Sequence, residues 1–311
     1  MGTVTVLDGG MGKELRRIGA PFRQPEWSAL ALIEEPERVL EAHRNFVDAG
    51  AEVVITNNYA VVPYHLGEDV IAERGAELTA LAGRLAREAA DGADHTVLVA
   101  GCLPPLFGSY EPDRFDAARA APYYRDMVAA LAPYVDLWIG ETFSCVDELH
   151  TIVEAVHDRG DDRPIWAAFA VPNEWDVDRG VALRSGETPA DIADAVSGHP
   201  GVEAVLINCS TPEQTGPAIE ALAVALGERE LEVRIGAYAN AFPAERPAGY
   251  EANAVVFERR TELTPERYTD FVRSWIDLGA TVVGGCCDMY PQHIAALAER
   301  FGGHRENANI S

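Results

Sequence analysis

Positive charge is scarce in this chain: 25 lysines and arginines stand against 50 aspartates and glutamates, a formal net charge of −25 over 311 residues. A nucleic-acid or anionic-membrane partner needs basic surface, so neither is expected. The acidity suits solubility or adaptation to salt, and it would also draw in small cationic substrates. Long apolar runs are missing as well. No stretch approaches the ~20 residues of a membrane span. The start, Met1-Gly2-Thr3-Val4 with Asp8 close behind, lacks the basic-then-apolar pattern of a secretory signal. Cysteine is sparse and odd in number, five in all, which fits a reducing compartment and no disulfide framework. A cytoplasmic protein is expected. No Cys-x-x-Cys pair occurs, no Gly-x-Gly-x-x-Gly fingerprint follows any apolar run, and no internal repeat, low-complexity tract or interdomain linker stands out.

What the chain does contain is regular alternation. Short β-branched runs read as strands at Thr3–Leu7, Glu52–Thr56, Thr96–Ala100, Val135–Ile139, Ile165–Ala170, Ala204–Asn208, Glu232–Ala237 and Thr281–Val283. Amphipathic stretches lie between them: Pro36–Ala49, Gly75–Ala90, Ala117–Leu131, Cys145–His157, Pro189–Val196, Pro212–Leu226 and Pro265–Leu278, with Pro291–Phe301 after the last strand. Several open with proline or an acidic first turn, as helix N-termini prefer. Near-continuous apolar strands, each followed by a helix, indicate parallel pairing buried on both faces. The expected fold is a (β/α)8 TIM barrel forming a single domain over residues 1–301, with a polar tail at 302–311. A doubly wound open sheet is the competing arrangement. Two long connections, Val171–Thr188 and Asn240–Leu263, follow strand C-termini and are expected to overhang the barrel mouth.

In such a barrel the residues just past the strand C-termini converge on one mouth. They are Asp8, Thr56, Asn57, Gly101, Cys102, Glu141, Cys209, Asn240, Cys286 and Cys287. Chosen by position alone, this set holds four of the five cysteines and two carboxylates. A lone strand-end cysteine is commonly a small buried hydrophobe, and Cys102 and Cys145 are read that way. Adjacent Cys286 and Cys287 are different, because Gly284-Gly285 before them would let the chain turn sharply and aim both side chains at one point. With Cys209 they would supply three thiolates and leave a fourth position open, the pattern of a catalytic zinc site. Asp8-Gly9-Gly10 reads equally as a tight turn. Glu141, after Leu137-Trp138-Ile139-Gly140, is either buried with a partner or placed for a ligand. Two carboxylates beside thiolates suit an amino acid whose ammonium they hold while its sulfur reaches a metal.

Leu7-Asp8-Gly9-Gly10-Met11-Gly12, Glu141-Thr142, Asn208-Cys209 and Gly284-Gly285-Cys286-Cys287 occur in this order along the chain. Together they resemble the homocysteine S-methyltransferase family, over roughly residues 3–300. The resemblance implies a zinc ion bound by Cys209, Cys286 and Cys287, with Asp8 and Glu141 on the homocysteine amino group. It also implies that backbone amides near Gly9 and Gly10 help position that substrate, and that Thr56, Asn57 and Tyr59 line the pocket between acceptor and donor. Methyl transfer from a sulfonium donor, S-methylmethionine or S-adenosylmethionine, to the zinc-bound thiolate would form methionine, with no protein side chain as covalent nucleophile. Tyr59, Phe107, Tyr110 and Trp175 are aromatics near the mouth that could face a cationic donor. Betaine or another methylated osmolyte as donor, another small thiol as acceptor, and a non-catalytic zinc- or thiol-binding barrel are the alternatives. Ala60 and the Cys102–Pro105 stretch depart from the family pattern, in loops expected to face the donor or the substrate tail.

Overall fold

The computed structural model describes residues 3–173, 180–243 and 259–303. Eight parallel strands are β1 (Thr5–Val6), β2 (Val53–Ile55), β3 (Leu98–Leu103), β4 (Leu137–Phe143), β5 (Ile165–Phe169), β6 (Val202–Asn208), β7 (Arg234–Tyr238) and β8 (Ala280–Val283). Their order is β1-β8-β7-β6-β5-β4-β3-β2. The last seam, β1 to β2, closes through a bridge between Leu7 and Val53. Side chains complete it: Glu52 Oε2 accepts from the Val6 N–H at 2.8 Å and Asp8 Oδ2 from the Ile55 N–H at 2.9 Å. The expected (β/α)8 barrel is therefore the fold.

Helices α1 (Met11–Arg17), α2 (Ala29–Glu34) and α3 (Pro36–Asp48) follow β1, and α4 (Pro63–Leu66) and α5 (Glu68–Asp91) follow β2. After β3 come a 3-10 turn, Pro112–Arg114, and α6 (Ala117–Leu131). Among the described residues one helix follows each later strand: α7 (Val146–His157), α8 (Pro189–Ser197), α9 (Pro212–Gly227), α10 (Pro265–Asp277) and α11 (Pro291–Phe301). Proline opens α3, α8, α9, α10 and α11, where its missing N–H costs no helical hydrogen bond. Cys145 sits at the start of α7, where Glu148 Oε2 accepts from the Ser144 N–H at 2.6 Å and the Cys145 N–H at 3.3 Å. Among the described residues no helix is long and apolar enough to cross a membrane.

Alternation along the strands divides two cores. Leu7, Val53, Ala100, Leu137, Ile139, Trp166, Leu206 and Val282 fill the barrel interior, while Val99, Trp138, Phe143, Val205 and Val283 pack outward under the helices. Each fully buried large apolar side chain contributes roughly 1.5–3 kcal/mol, so both layers resist movement of the mouth they support.

Three expectations need correction. Strands β3 and β4 run past their expected ends at Ala100 and Ile139, so Cys102 and Glu141 lie inside strands rather than in loops. Their polar or small residues interrupted the apolar signal although the ladder continues. Helix α5 begins seven residues before the expected Gly75, because its first two turns are polar and exposed on one side. Helices α1, α2 and α4, of seven, six and four residues, are too short to show a periodic apolar face. Of the expected tail, Gly302 pairs with Val4, and residues 304–311 lie outside the described residues.

Candidate metal centre

At the C-terminal mouth, Cys209 leaves β6 in a left-handed conformation, φ 47°. That is costly for a residue with a Cβ, and three backbone contacts fix it. Its N–H donates to Tyr238 O at 3.1 Å, its carbonyl accepts from Asn240 Nδ2 at 2.6 Å, and Asn240 N–H donates to Ser210 O at 3.0 Å. Cys286 and Cys287 arrive from β8. The Cys286 N–H donates to Ala239 O and Cys287 O accepts from the Ala241 N–H, each at 2.9 Å, which ties this turn to the end of β7.

Neither Gly284 nor Gly285 adopts a positive φ, so the sharp turn expected of them is not their role. They permit close approach. A Cβ on Gly284 would sit 2.5 Å from Leu7 Cβ, and one on Gly285 2.3 Å from Met289 Cβ. A Cβ on Gly10 would lie 2.6 Å from Cys286 O. The β1 and β8 loops thus interlock, bringing Asp8 alongside the cysteines. The Gly10 N–H is committed to Met289 O at 2.9 Å. Beneath the turn, Lys13 Nζ lies 3.0 Å from Asp288 Oδ2 in a buried ion pair, and Tyr290 donates to Asp288 Oδ1 at 3.1 Å.

The Sγ atoms of Cys209, Cys286 and Cys287 all lie within 4.8 Å of one another. Cys209 to Cys287 is 3.9 Å and Cys209 to Cys286 is 2.9 Å. Thiolates at ~2.3 Å from a tetrahedral zinc stand about 3.8 Å apart. One spacing already matches, and the other must open by about an ångström. An all-thiolate set of three suits a soft or borderline cation and leaves one tetrahedral position for a substrate. Hydrogen bonds from the Cys286 and Cys287 thiols hold the Cys209 thiol well below its ordinary range, so the first proton leaves this cluster easily. The donor set fits zinc.

A pocket of about 110 Å³ opens above these sulfurs, and its wall includes Asp8, Gly9, Gly10, Thr56, Asn57, Tyr59, Glu141, Cys209, Cys286 and Cys287. The expected metal-ligating and substrate residues are all brought to it, whereas Gly101, Cys102 and Asn240, also expected at the mouth, do not line it. Glu141 continues the inward stripe of Leu137 and Ile139. A bulge at Thr142, φ 59°, then returns Phe143 to the outer core. Asn208, at the end of β6, holds that bulge reciprocally: the Thr142 N–H donates to Asn208 Oδ1 at 3.1 Å and Asn208 Nδ2 to Thr142 Oγ1 at 3.0 Å. Glu141 Oε1 accepts from the Tyr238 hydroxyl and Oε2 from the Cys102 thiol, each at 3.0 Å. Burial outweighs these hydrogen bonds and pushes the Glu141 carboxyl up to about 7. Burial, with the charge of Glu141 adding to it, also raises Asp8 well above the carboxylate range, against the opposing hydrogen bond from Ile55. Two carboxylates made costly to ionise in this way gain most from a cation placed between them.

Thr56 and Asn57 shape the wall with their polar groups already partnered. Thr56 Oγ1 donates to Asn58 Oδ1 at 2.6 Å and accepts from the Cys102 N–H at 2.9 Å, while Asn57 Nδ2 reaches Ser28 O at 3.4 Å. Tyr59 Oη lies 2.6 Å from Ser109 Oγ. Ala60 is fully buried in a cluster under α1, α3 and α5 rather than facing the pocket, and Cys102 faces Glu141 inside the barrel. Phe107 faces away from the pocket, with the Arg119 guanidinium 4.1 Å from its ring centroid. Trp175 lies outside the described residues. Trp27, Tyr110, Tyr238 and Phe242 supply the aromatic wall together with Tyr59. Of these, Trp27, Tyr238 and Phe242 carried no sequence signal beyond being aromatic.

Fold and site together define a barrel enzyme built around a three-cysteine metal centre. The chain belongs to the homocysteine S-methyltransferase family, whose model matches residues 5–301. It is 29% identical to the homocysteine S-methyltransferase of Escherichia coli (strain K12), over 96% of this chain and 95% of that one. It is 26% identical to the selenocysteine methyltransferase of Astragalus bisulcatus, over 95% and 92% of the two chains. The crystal structure of the metallated homocysteine methyltransferase from Escherichia coli superposes with a TM-score of 0.76 at 26% identity, covering 96% of each chain.

Proposed function

We propose that this enzyme transfers a methyl group from a sulfonium donor, S-methylmethionine or S-adenosylmethionine, to the thiol of homocysteine, forming methionine. One observation carries the reading: two buried carboxylates and three metal-binding thiols face one pocket. Zinc held by Cys209, Cys286 and Cys287 would keep the acceptor sulfur ionised at neutral pH and still nucleophilic. Asp8 and Glu141 hold the acceptor's ammonium, and its charge in turn favours both carboxylates over their neutral forms. The Gly9–Gly10 backbone, closely packed on the Cys286–Cys287 turn, leaves room for the substrate's amino acid end. Tyr59, Tyr110, Trp27 and Phe242 line the pocket that a sulfonium cation would enter, in a protein whose net charge of −25 favours cations.

The thiol proton leaves to solvent as the acceptor sulfur ionises on binding, so the displacement itself moves no proton. A sulfur lone pair forms the new S–CH3 bond as the old C–S pair returns to the donor sulfur, and both reactants lose their charge. No general acid or base is required, and none is assigned. Alignment by the walls makes the encounter effectively unimolecular. The test is methionine formation from homocysteine with S-methylmethionine, S-adenosylmethionine and betaine at equal concentration, and with a selenol in place of the thiol. Turnover with either sulfonium at least ~10-fold above betaine is expected, since the aromatic wall and acidic field favour both cations over a zwitterion. Turnover with betaine alone would move the donor assignment to a methylated osmolyte, and no turnover with any donor would overturn the reading.

A further inference from the structure

We infer that the hydroxyl of Tyr110 is a hydrogen-bond donor to the metal-ligating sulfur of Cys209, making Tyr110 a positioning residue that keeps this protein sulfur less nucleophilic than the substrate's. The inference rests on the proposed methyl transfer and on Cys209 as a ligand. Tyr110 Oη lies 3.0 Å from Cys209 Sγ, within the range of a hydrogen bond to sulfur, and 3.5 Å from the Cys209 carbonyl oxygen, so the sulfur is the nearer acceptor. Among the described residues neither Cys286 nor Cys287 receives a hydroxyl of this kind. The three sulfurs are therefore inequivalent before any metal binds.

Tyr110 is built into that place. Its backbone is left-handed, φ 67°, and follows Gly108 at φ 129°. Such a conformation is costly for a tyrosine and persists only where its surroundings over-determine it. They do so here. Next to it, Ser109 Oγ is 2.6 Å from Tyr59 Oη, and the Arg184 guanidinium stands 4.9 Å from the Tyr110 ring centroid. The loop after β3 is thus strapped to the β2 loop on one side and packed against Arg184 on the other, with the Tyr110 hydroxyl nearest the sulfur.

The chemical need follows from the pocket. A methyl cation donor beside three ionised cysteines and one ionised substrate meets four sulfurs, of which one must react. A hydrogen bond draws charge from the sulfur that accepts it. Placed on Cys209, which lines the pocket although it is the most buried of the three, it biases methylation toward the entering thiol. Methylation of Cys209 itself would follow the same balance as turnover, with sulfonium becoming thioether and thiolate becoming S-methylcysteine, and it would destroy a ligand.

The experiment uses Tyr110→Phe, which keeps the ring under Arg184 and removes one oxygen, in the full chain loaded with cobalt(II) or zinc. Relative to wild type, the thiolate-to-cobalt charge-transfer band should move to longer wavelength. Zinc should bind about 10-fold more weakly in competition with a chromophoric chelator, as loss of a ligand's outer partner typically costs. Alkylation of Cys209 by iodoacetamide, read by peptide mass spectrometry, should rise several-fold against Cys286 and Cys287. Arg184→Ala, which keeps the hydroxyl but loosens its support, should shift the band partway in the same direction, and it serves if the phenylalanine variant does not fold. A wild-type band that neither variant moves would overturn the inference alone. Absence of any thiolate-to-cobalt band in wild type would overturn the metal assignment and the inference together.

Discussion

Cys287→Ser is expected to weaken zinc binding by ~10²-fold or more and methyl transfer by ~10³-fold while the barrel stays folded. A ligand contributes more than the outer partners whose loss costs about 10–100-fold, and a serine hydroxyl does not ionise near neutral pH to replace the thiolate. The rate effect follows because a metal's charge stabilisation is worth several kcal/mol, each 1.36 kcal/mol being about tenfold. The fold survives because the Cys287 carbonyl, not its sulfur, holds the turn to the Ala241 N–H. Zinc content by atomic absorption, with circular dichroism as the control, reads both halves. Cys145→Ser is the matched comparison: Cys145 opens α7 outside the pocket, so this variant should keep its metal. Full zinc in Cys287→Ser would remove the three-cysteine assignment.

The second large effect concerns Glu141. Glu141→Gln keeps the shape and the Tyr238 contact but offers no charge to an ammonium, and kcat/KM for homocysteine should fall by about 10²-fold, the upper range for a charged hydrogen bond. The pH profile carries more information. Burial holds the Glu141 carboxyl up to about 7. Its charged form is the one that binds the amino group, so wild-type kcat/KM should be fully developed above that value and fall as pH drops through it. Asp8 is raised partly by the charge of Glu141, so the acid limb belongs to the pair. Removing Glu141 relieves Asp8, and the limb should move to lower pH in the variant. A limb near 7 that stays in place in Glu141→Gln would detach it from Glu141.

Much of this molecule was legible in its sequence. Parallel strands buried on both faces write themselves as continuous β-branched runs, so all eight were visible, and most of the residues singled out at their C-terminal ends converge on one pocket as the topology requires. What was hidden is physically specific. A strand that carries a site ceases to look apolar where the site begins, which concealed that Cys102 and Glu141 lie within strands and face inward. The Thr142 bulge and its Asn208 clasp depend on pairing across β5, information no local window contains. Gly284 and Gly285 were visible as glycines, but their reason is contact with Leu7 and Met289 some 280 and four residues away in sequence. Phe107 and Ala60 show the converse: position in a mouth-side loop does not say which way a side chain points.

The most direct test of the central claim is X-ray absorption at the zinc edge of the purified enzyme, with and without homocysteine. The zinc should show three sulfur neighbours from Cys209, Cys286 and Cys287 alone and four when homocysteine is added, at ~2.3 Å. A first shell whose sulfur number does not change on adding homocysteine would contradict the account.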